Sequence, residues 1–277
     1  MAVVLALFSA ATYGIGDFCG GMASRRVPAT TVLLWSHLLG LLLLLTAAPL
    51  VGGVAGGRDL LIGGVGGLAG AAGVGLLYKG LSVGPMSVVA PITALLSATV
   101  PIVVGLVQGD RPSSTVVIGM VGALVAIILV SAEGGGSLRP ADLRGVTFAL
   151  GAGLGFGVFF VALSYTGEDS GIWPLAAARI ASVTVVGSLA LLGRVARSAP
   201  APGARTFTAV AGALDAVANV FYLLAVREGL LSVVSVLTAL YPVGTVILAR
   251  VVLKERFATL QRIGMVIALP AAILMAI

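Results

Sequence analysis

Ionisable side chains inside long apolar runs are costly, and where they persist they usually serve a cavity or a partner. Four such residues stand out here: Asp17, His37, Arg179 and Asp215. A carboxylate in such a place can carry a proton or balance a cationic solute. Asp215 is the sharpest candidate. It sits in Ala211-Gly212-Ala213-Leu214-Asp215-Ala216-Val217-Ala218-Asn219. Asn219 falls one helical turn further along the same face, and Tyr222 lies seven residues on. The alternative role for Asp215 is a structural ion pair with Arg179. Asp17 follows the same logic nearer a helix end. His37 can relay protons, because an unperturbed imidazole titrates near neutrality, or it can be a hydrogen-bonded interior group. Arg179 can hold an anion. Among neutral residues, Tyr13, Trp35, Tyr78, Trp173, Tyr222 and Tyr241 are candidate cavity-lining rings, as against interfacial anchors, the reading favoured for Trp173. Thr93 and Thr238 are candidates either for lining or for bonds between helices.

These residues belong to a chain that cannot be a water-soluble globule. Of 277 residues, 59% are hydrophobic and 9% charged, and the mean hydropathy is +1.18. Soluble domains carry roughly a quarter charged residues. A soluble enzyme, a disordered chain and a nucleic-acid-binding domain are all excluded on that ground. The net charge of +6 comes from Lys and Arg in short breaks between apolar runs. That placement suits membrane orientation and contact with anionic lipid. A single cysteine, Cys19, and a single histidine, His37, leave no internal disulfide and no ligand set for zinc or iron. No cofactor or metal is expected. Gly64-Val65-Gly66-Gly67-Leu68-Ala69 resembles a dinucleotide loop only superficially, because no strand precedes it. No Lys or Arg precedes the first apolar run, so it reads as a retained membrane helix rather than a cleaved signal.

A spanning helix takes roughly 20 residues, so the length allows about ten. The apolar runs predict helices over 2–23, 28–50, 60–80, 85–107, 113–132, 145–166, 172–193, 206–227, 230–252 and 259–277. Pro91 and Pro101 interrupt the interior of one of these runs and Pro242 that of another, and all three are candidate kinks. Gly16/Gly20, Gly63/Gly67, Gly66/Gly70, Gly151/Gly155 and Gly153/Gly157 have the spacing that lets helices pack closely.

The chain also repeats itself at an offset of 145 residues. Ser87-Val88-Val89 meets Ser232-Val233-Val234, and Thr93-Ala94-Leu95 meets Thr238-Ala239-Leu240. Asp110-Arg111 meets Glu255-Arg256, and Gly119-Met120-Val121 meets Gly264-Met265-Val266. Five helices per repeat is an odd number, so the second copy enters the bilayer upside down. The expected fold is therefore an all-α integral membrane protein of about ten transmembrane helices in two inverted five-helix repeats. The expected boundaries are 1–133 for the first repeat, 134–144 for the loop and 145–277 for the second repeat. Inverted repeats are characteristic of secondary transporters, with the substrate site between the halves near the midplane.

Gly84-Pro85-Met86-Ser87, Pro91, Pro101, Gly109-Asp110-Arg111 and Gly119 together resemble the EamA-like repeat of the drug/metabolite transporter superfamily. Gly229, Ser232, Pro242, Lys254-Glu255-Arg256 and Gly264 form the second copy, and Tyr13-Gly14-Ile15-Gly16-Asp17-Phe18 is similar to the repeat's first helix. The resemblance spans nearly the whole chain. It implies that the first four helices of each half line a central cavity, with the fifth and tenth as scaffold. It also implies an interior Arg on the second helix of each repeat. Arg179 fits that place in the second half, and His37 stands in for it in the first.

From helix rise, Asp17 lies roughly 10 Å from the face where the first helix ends, and His37 and Asp215 roughly 13 Å. Those three are expected to share one vestibule, with Arg179 entering from the opposite face at roughly 10 Å. Orientation has two readings. The resemblance implies cytoplasmic termini. Yet only Arg58, Arg111 and Arg227 fall on the termini's side, and the positive-inside rule then favours the other face as cytoplasmic.

The function expected is secondary active transport: export of a small organic metabolite or drug by alternating access, with protons as a coupling ion. Expected partners are that solute, protons and the bilayer of the cell membrane, and the chain would work as a monomer or homodimer. The competing readings are an intramembrane enzyme, which would need a Ser/Lys dyad or paired carboxylates, and a non-transporting accessory protein. Asp17, His37, Arg179, Asp215 and Asn219 are the expected substrate- or proton-binding residues, with no catalytic residues.

Overall fold

The computed structural model describes residues 1–54, 56–84, 86–130, 140–195, 198–253 and 258–277. Eleven helices are formed among them: α1 (Ala2–Ser24), α2 (Ala29–Val51), α3 (Gly57–Val83), α4 (Met86–Gln108), α5 (Ser114–Val130), α6 (Pro140–Ser164), α7 (Trp173–Leu191), α8 (Pro202–Glu228), α9 (Leu231–Thr238), α10 (Tyr241–Leu253) and α11 (Thr259–Leu274). A short 3-10 turn covers Glu168–Ser170. Eight segments are long and apolar enough to cross a membrane, one of them running from α9 into α10, and α5 and α11 are shorter apolar helices. The chain is thus a multi-pass integral membrane protein. Its outer surface is studded with large apolar side chains such as Leu42, Val65, Ile118 and Val266, as a lipid-facing surface requires.

Two expectations change. α6 begins at Pro140, inside the stretch read as a loop over 134–144. Proline suits a first helical turn, where its missing N–H is not needed. The rest of that loop, 134–139, lies outside the described residues, as do Glu133, Pro85 and the Lys254-Glu255-Arg256 turn. The ninth span, read as one helix over 230–252, is broken between Thr238 and Tyr241. Pro242 has no N–H for the Thr238 carbonyl, and its ring crowds that carbonyl. The repeat offset sets Pro242 against Ser97, so the first half lacks this break, and α4 runs unbroken through Pro91 and Pro101.

The halves pack in matched pairs. α1 lies on α8 as α3 lies on α6, and α2 lies on α8 as α3 lies on α7. α2 meets α7, and α4 meets α6 and α9, while α1 meets α9 and α10. α5 packs on α11. Each of these contacts has its counterpart or lies across the axis itself, which is the internal two-fold expected of inverted repeats.

Glycine makes these approaches possible. On α3, Gly63 and Gly67 face Pro174 and Ala178 of α7, while Gly66 and Gly70 face Ala162 and Phe159 of α6. A β-carbon on Gly155 would stand 2.6 Å from the Ala69 carbonyl oxygen and 2.9 Å from the Gly73 nitrogen. The Gly153/Gly157 pair presses on Leu96 and Val100 of α4. Small residues at helical spacing therefore let backbone meet backbone where lipid supplies no hydrophobic drive for association.

On the face carrying both termini, hydrogen bonds stitch the halves together. The Asp110 carboxylate accepts from the Ser232 backbone N–H at 2.9 Å and from its hydroxyl at 2.7 Å, at the start of α9. The Gly167 N–H donates to Asp59, the Val54 N–H to the Asp169 carbonyl, and the Trp173 indole to the Gly53 carbonyl.

Candidate functional site

At the centre of the bundle, four helices converge with little side-chain bulk between them. Gly212 of α8 sits against the backbone of Ser36, so α2 and α8 touch one residue before His37 and three before Asp215. Gly67 of α3 sits against Ala178, one residue before Arg179. Gly40 leaves room for the Arg179 side chain itself: a β-carbon there would lie 3.4 Å from Nε. The glycines thus frame a slot, and the guanidinium fills it.

Arg179 is buried, and its guanidinium joins the two halves. Nη2 pairs with the Asp215 carboxylate, and the two side chains are only 8% and 16% exposed. Nη1 lies 2.8 Å from His37 Nε2. His37 Nδ1 lies 2.9 Å from the Ser182 hydroxyl, which donates in turn to the Arg179 carbonyl at 3.1 Å. Nη1 also lies 3.2 Å from Nδ1; arginine only donates, so the ring nitrogen it addresses accepts, and with Nε2 the nearer the proton is assigned to Nδ1, toward Ser182. The imidazole is therefore neutral here, and a ring closes from Arg179 through His37 and Ser182 back to Arg179. On the other side of Asp215, the Asn219 amide donates to the Asp215 carbonyl at 2.6 Å, and its oxygen accepts from the Tyr13 hydroxyl at 2.7 Å. One polar chain thus runs Ser182–His37–Arg179–Asp215–Asn219–Tyr13, drawing on α1 and α2 of one half and α7 and α8 of the other.

Buried ion pairs of this kind add little net stability over apolar packing, yet stranding one partner is expensive. Their natural use is specificity or switching.

Two small cavities flank the chain, each of about 10 Å³, the room one water needs. One is lined by Tyr13, Phe156, Phe159, Arg179, Asp215 and Asn219, among others. Tyr13, Asp17, Phe156, Phe160, Asp215 and Tyr241 line the second. Asp17 and Asp215 therefore share a cavity wall, as expected. His37 borders neither; it reaches Asp215 only through Arg179. Arg179, expected to enter from the opposite face, instead meets both His37 and Asp215.

Other expectations resolve differently. Trp35 is 40% exposed and donates to the Ser198 carbonyl, an outer-surface position away from both cavities. Thr93 is buried and bonds the carbonyls of Val89 and Ala149, tying α4 to α6. Thr238 is buried at the α9 break, and among the described residues its hydroxyl has no partner. Tyr222 is fully buried, stacked on Phe160 with ring centroids 4.2 Å apart, and its hydroxyl lies 3.1 Å from that of Ser235. None of those four lines either of the two cavities. Tyr13 and Tyr241 do line the cavity. The repeat also corrects the expected equivalence of His37 and Arg179. His37 and Ser182 are 145 residues apart and bond each other. They are the symmetry mates, and Arg179 lies one turn before Ser182. The sequence reading missed Ser182, though that same offset marks it, and missed Phe156 and Phe160, which look like ordinary core residues until the fold sets them in one cavity wall with Asp17 and Asp215.

Comparison with known proteins follows the same outline. No curated protein matches the chain. A solved structure described only as "Crystal structure of protein" is similar with a TM-score of 0.73 at 17% identity, covering 97% of this chain and 98% of that one, which shows a shared fold. The profile of the EamA-like transporter family matches residues 1–132 and again 143–277. The chain belongs to the EamA-like transporter family, membrane transporters of the drug/metabolite transporter superfamily.

Proposed function

We propose that this protein is a secondary transporter of the cell membrane that exports a small organic solute by alternating access, with inward-moving protons as the coupling ion. The observation that carries the reading is the Arg179 guanidinium, held between Asp215 of its own half and His37 of the other. Alternating access requires the halves to rock against each other about a midplane site. A charge bridging that interface is positioned to exchange partners as they do. Protonation of Asp215 would release Nη2, and re-ionisation would recapture it, so proton binding and the arrangement of the halves are linked through one contact. The neutral imidazole of His37 keeps an acceptor on the guanidinium when Asp215 lets go.

The test is a flux screen. Cells producing the protein, cells producing Arg179→Ala and cells with an empty vector are loaded with a panel of amino acids, amines and nucleosides. At least one solute should leave the wild-type cells faster than the other two. Equal efflux of every solute from all three would contradict the reading.

A further inference from the structure

The two carboxylates of the central cavity are not equivalent. Asp215 is spoken for by Arg179. Among the described residues, no hydrogen bond or ion pair engages Asp17. The two hydroxyls that line its cavity are committed elsewhere: that of Tyr13 to Asn219, and that of Tyr241 to the Ala90 carbonyl at 3.2 Å, while Tyr78 packs on Gly20 one turn further along α1. The central cation, Arg179, is already held by Asp215 and His37. Asp17 thus presents an uncompensated carboxylate to the cavity, in a position where solvation is poor and a counter-charge is worth most.

What surrounds that carboxylate is aromatic. Phe156 and Phe160 have ring centroids 6.5 Å apart, Phe160 and Tyr13 6.1 Å, and Tyr13 and Tyr241 6.5 Å. All four rings line the same cavity as Asp17. A ring face attracts a cation lying within about 6 Å of its centre, more strongly where water is excluded. A hard metal ion would instead need several oxygen ligands. Among the described residues, no group of three His, Cys, Asp or Glu comes together. One carboxylate inside a row of rings suits a cation that carries its charge on an apolar body.

We propose that Asp17, with Tyr13, Phe156, Phe160 and Tyr241, forms a subsite for an organic ammonium ion, the carboxylate taking the ammonium and the rings its apolar substituents. The proposal rests on the transporter reading, since it names the solute class that reading leaves open. The cavity has room for about one water in this arrangement, so the ligand enters as the helices around it part.

The test is equilibrium binding of radiolabelled phenethylamine, cationic at pH 7, to the full-length protein purified in detergent. Phenethyl alcohol and phenylacetate serve as neutral and anionic competitors of the same shape. Wild type should bind saturably, with the alcohol competing at least about tenfold more weakly than unlabelled amine and phenylacetate weaker still. Asp17→Asn should lose about tenfold or more in affinity, Phe156→Leu about three- to tenfold, and Asp17→Glu should stay within about threefold of wild type. The last two variants keep the test decisive if Asp17→Asn fails to fold. No saturable binding by wild type would overturn the subsite. So would phenylacetate competing as well as the amine, or a folded Asp17→Asn binding like wild type. Binding in detergent needs no flux. Export of other solutes without amine binding therefore sinks the subsite alone, and amine binding without flux of any solute sinks the transporter reading.

Discussion

At the residue scale, the site is a set of buried polar groups whose partners are nearly all accounted for. That makes the cost of removing one legible. Asp215→Ala strands the Arg179 guanidinium on one side and should destabilise the protein by about 3–5 kcal/mol. Asp215→Asn leaves an acceptor oxygen for Nη2 and should cost clearly less. Thermal unfolding of the two variants in the same detergent checks the ordering; equal melting temperatures would show that the pair carries no structural weight. Much of this set was readable beforehand, because charge is so scarce in this chain that Asp17, His37, Arg179 and Asp215 select themselves. Of their pairings, that of Arg179 with Asp215 was one of two readings, and that of Arg179 with His37 was not foreseen. Sequence gives depth along each helix but not the rotation of one helix against another. Here rotation decides that Arg179 meets His37 and Asp215 while Asp17 is left free. Trp35 misleads for the same reason: its position along α2 resembles that of His37, but it points outward.

At the element scale, α3 shows how the packing is written. Its glycines at Gly63/Gly67 and Gly66/Gly70 mark two faces, and the structure places α7 on one and α6 on the other. Small-residue spacing predicts close approach without naming the neighbour. The ninth span carries the clearest departure from symmetry. The break at Ala239 and Leu240 leaves two short rods, α9 and α10, where α4 is a single one. Tyr241 opens α10 directly beside the cavity that holds Asp17. Pro242→Ala restores an N–H for the Thr238 carbonyl and should join the rods. The expected result is an unchanged or higher melting temperature with transport slowed several-fold. Wild-type transport rates in that variant would show that the break plays no part in the cycle. The sequence listed Pro91, Pro101 and Pro242 as equal candidates for a kink. The structure separates them: Pro91 and Pro101 lie inside the continuous α4, and Pro242 follows a break.

At the scale of the whole molecule, a repeat offset of 145 residues and an odd helix count led to the inverted two-fold, and the matched helix contacts follow it. The His37–Ser182 bond stands on that symmetry, one residue from each half at equivalent positions. On the face with the termini, Asp110, Asp59 and Val54 of the first half bond to Ser232, Gly167 and Asp169 of the second. Opening toward that face would have to part them, whereas the pair at Arg179 lies at the crossing point of the two halves. The most direct test of the account therefore compares wild type with Asp215→Asn in proteoliposomes, using a solute identified by the flux screen. Two rates are read: solute accumulation driven by a pH gradient, and solute-for-solute exchange with no gradient. Wild type should show both. Asp215→Asn, folded and inserted, should lose gradient-driven accumulation. Accumulation by Asp215→Asn at the wild-type rate and with the wild-type pH dependence would contradict the central role given to the Arg179–Asp215 pair.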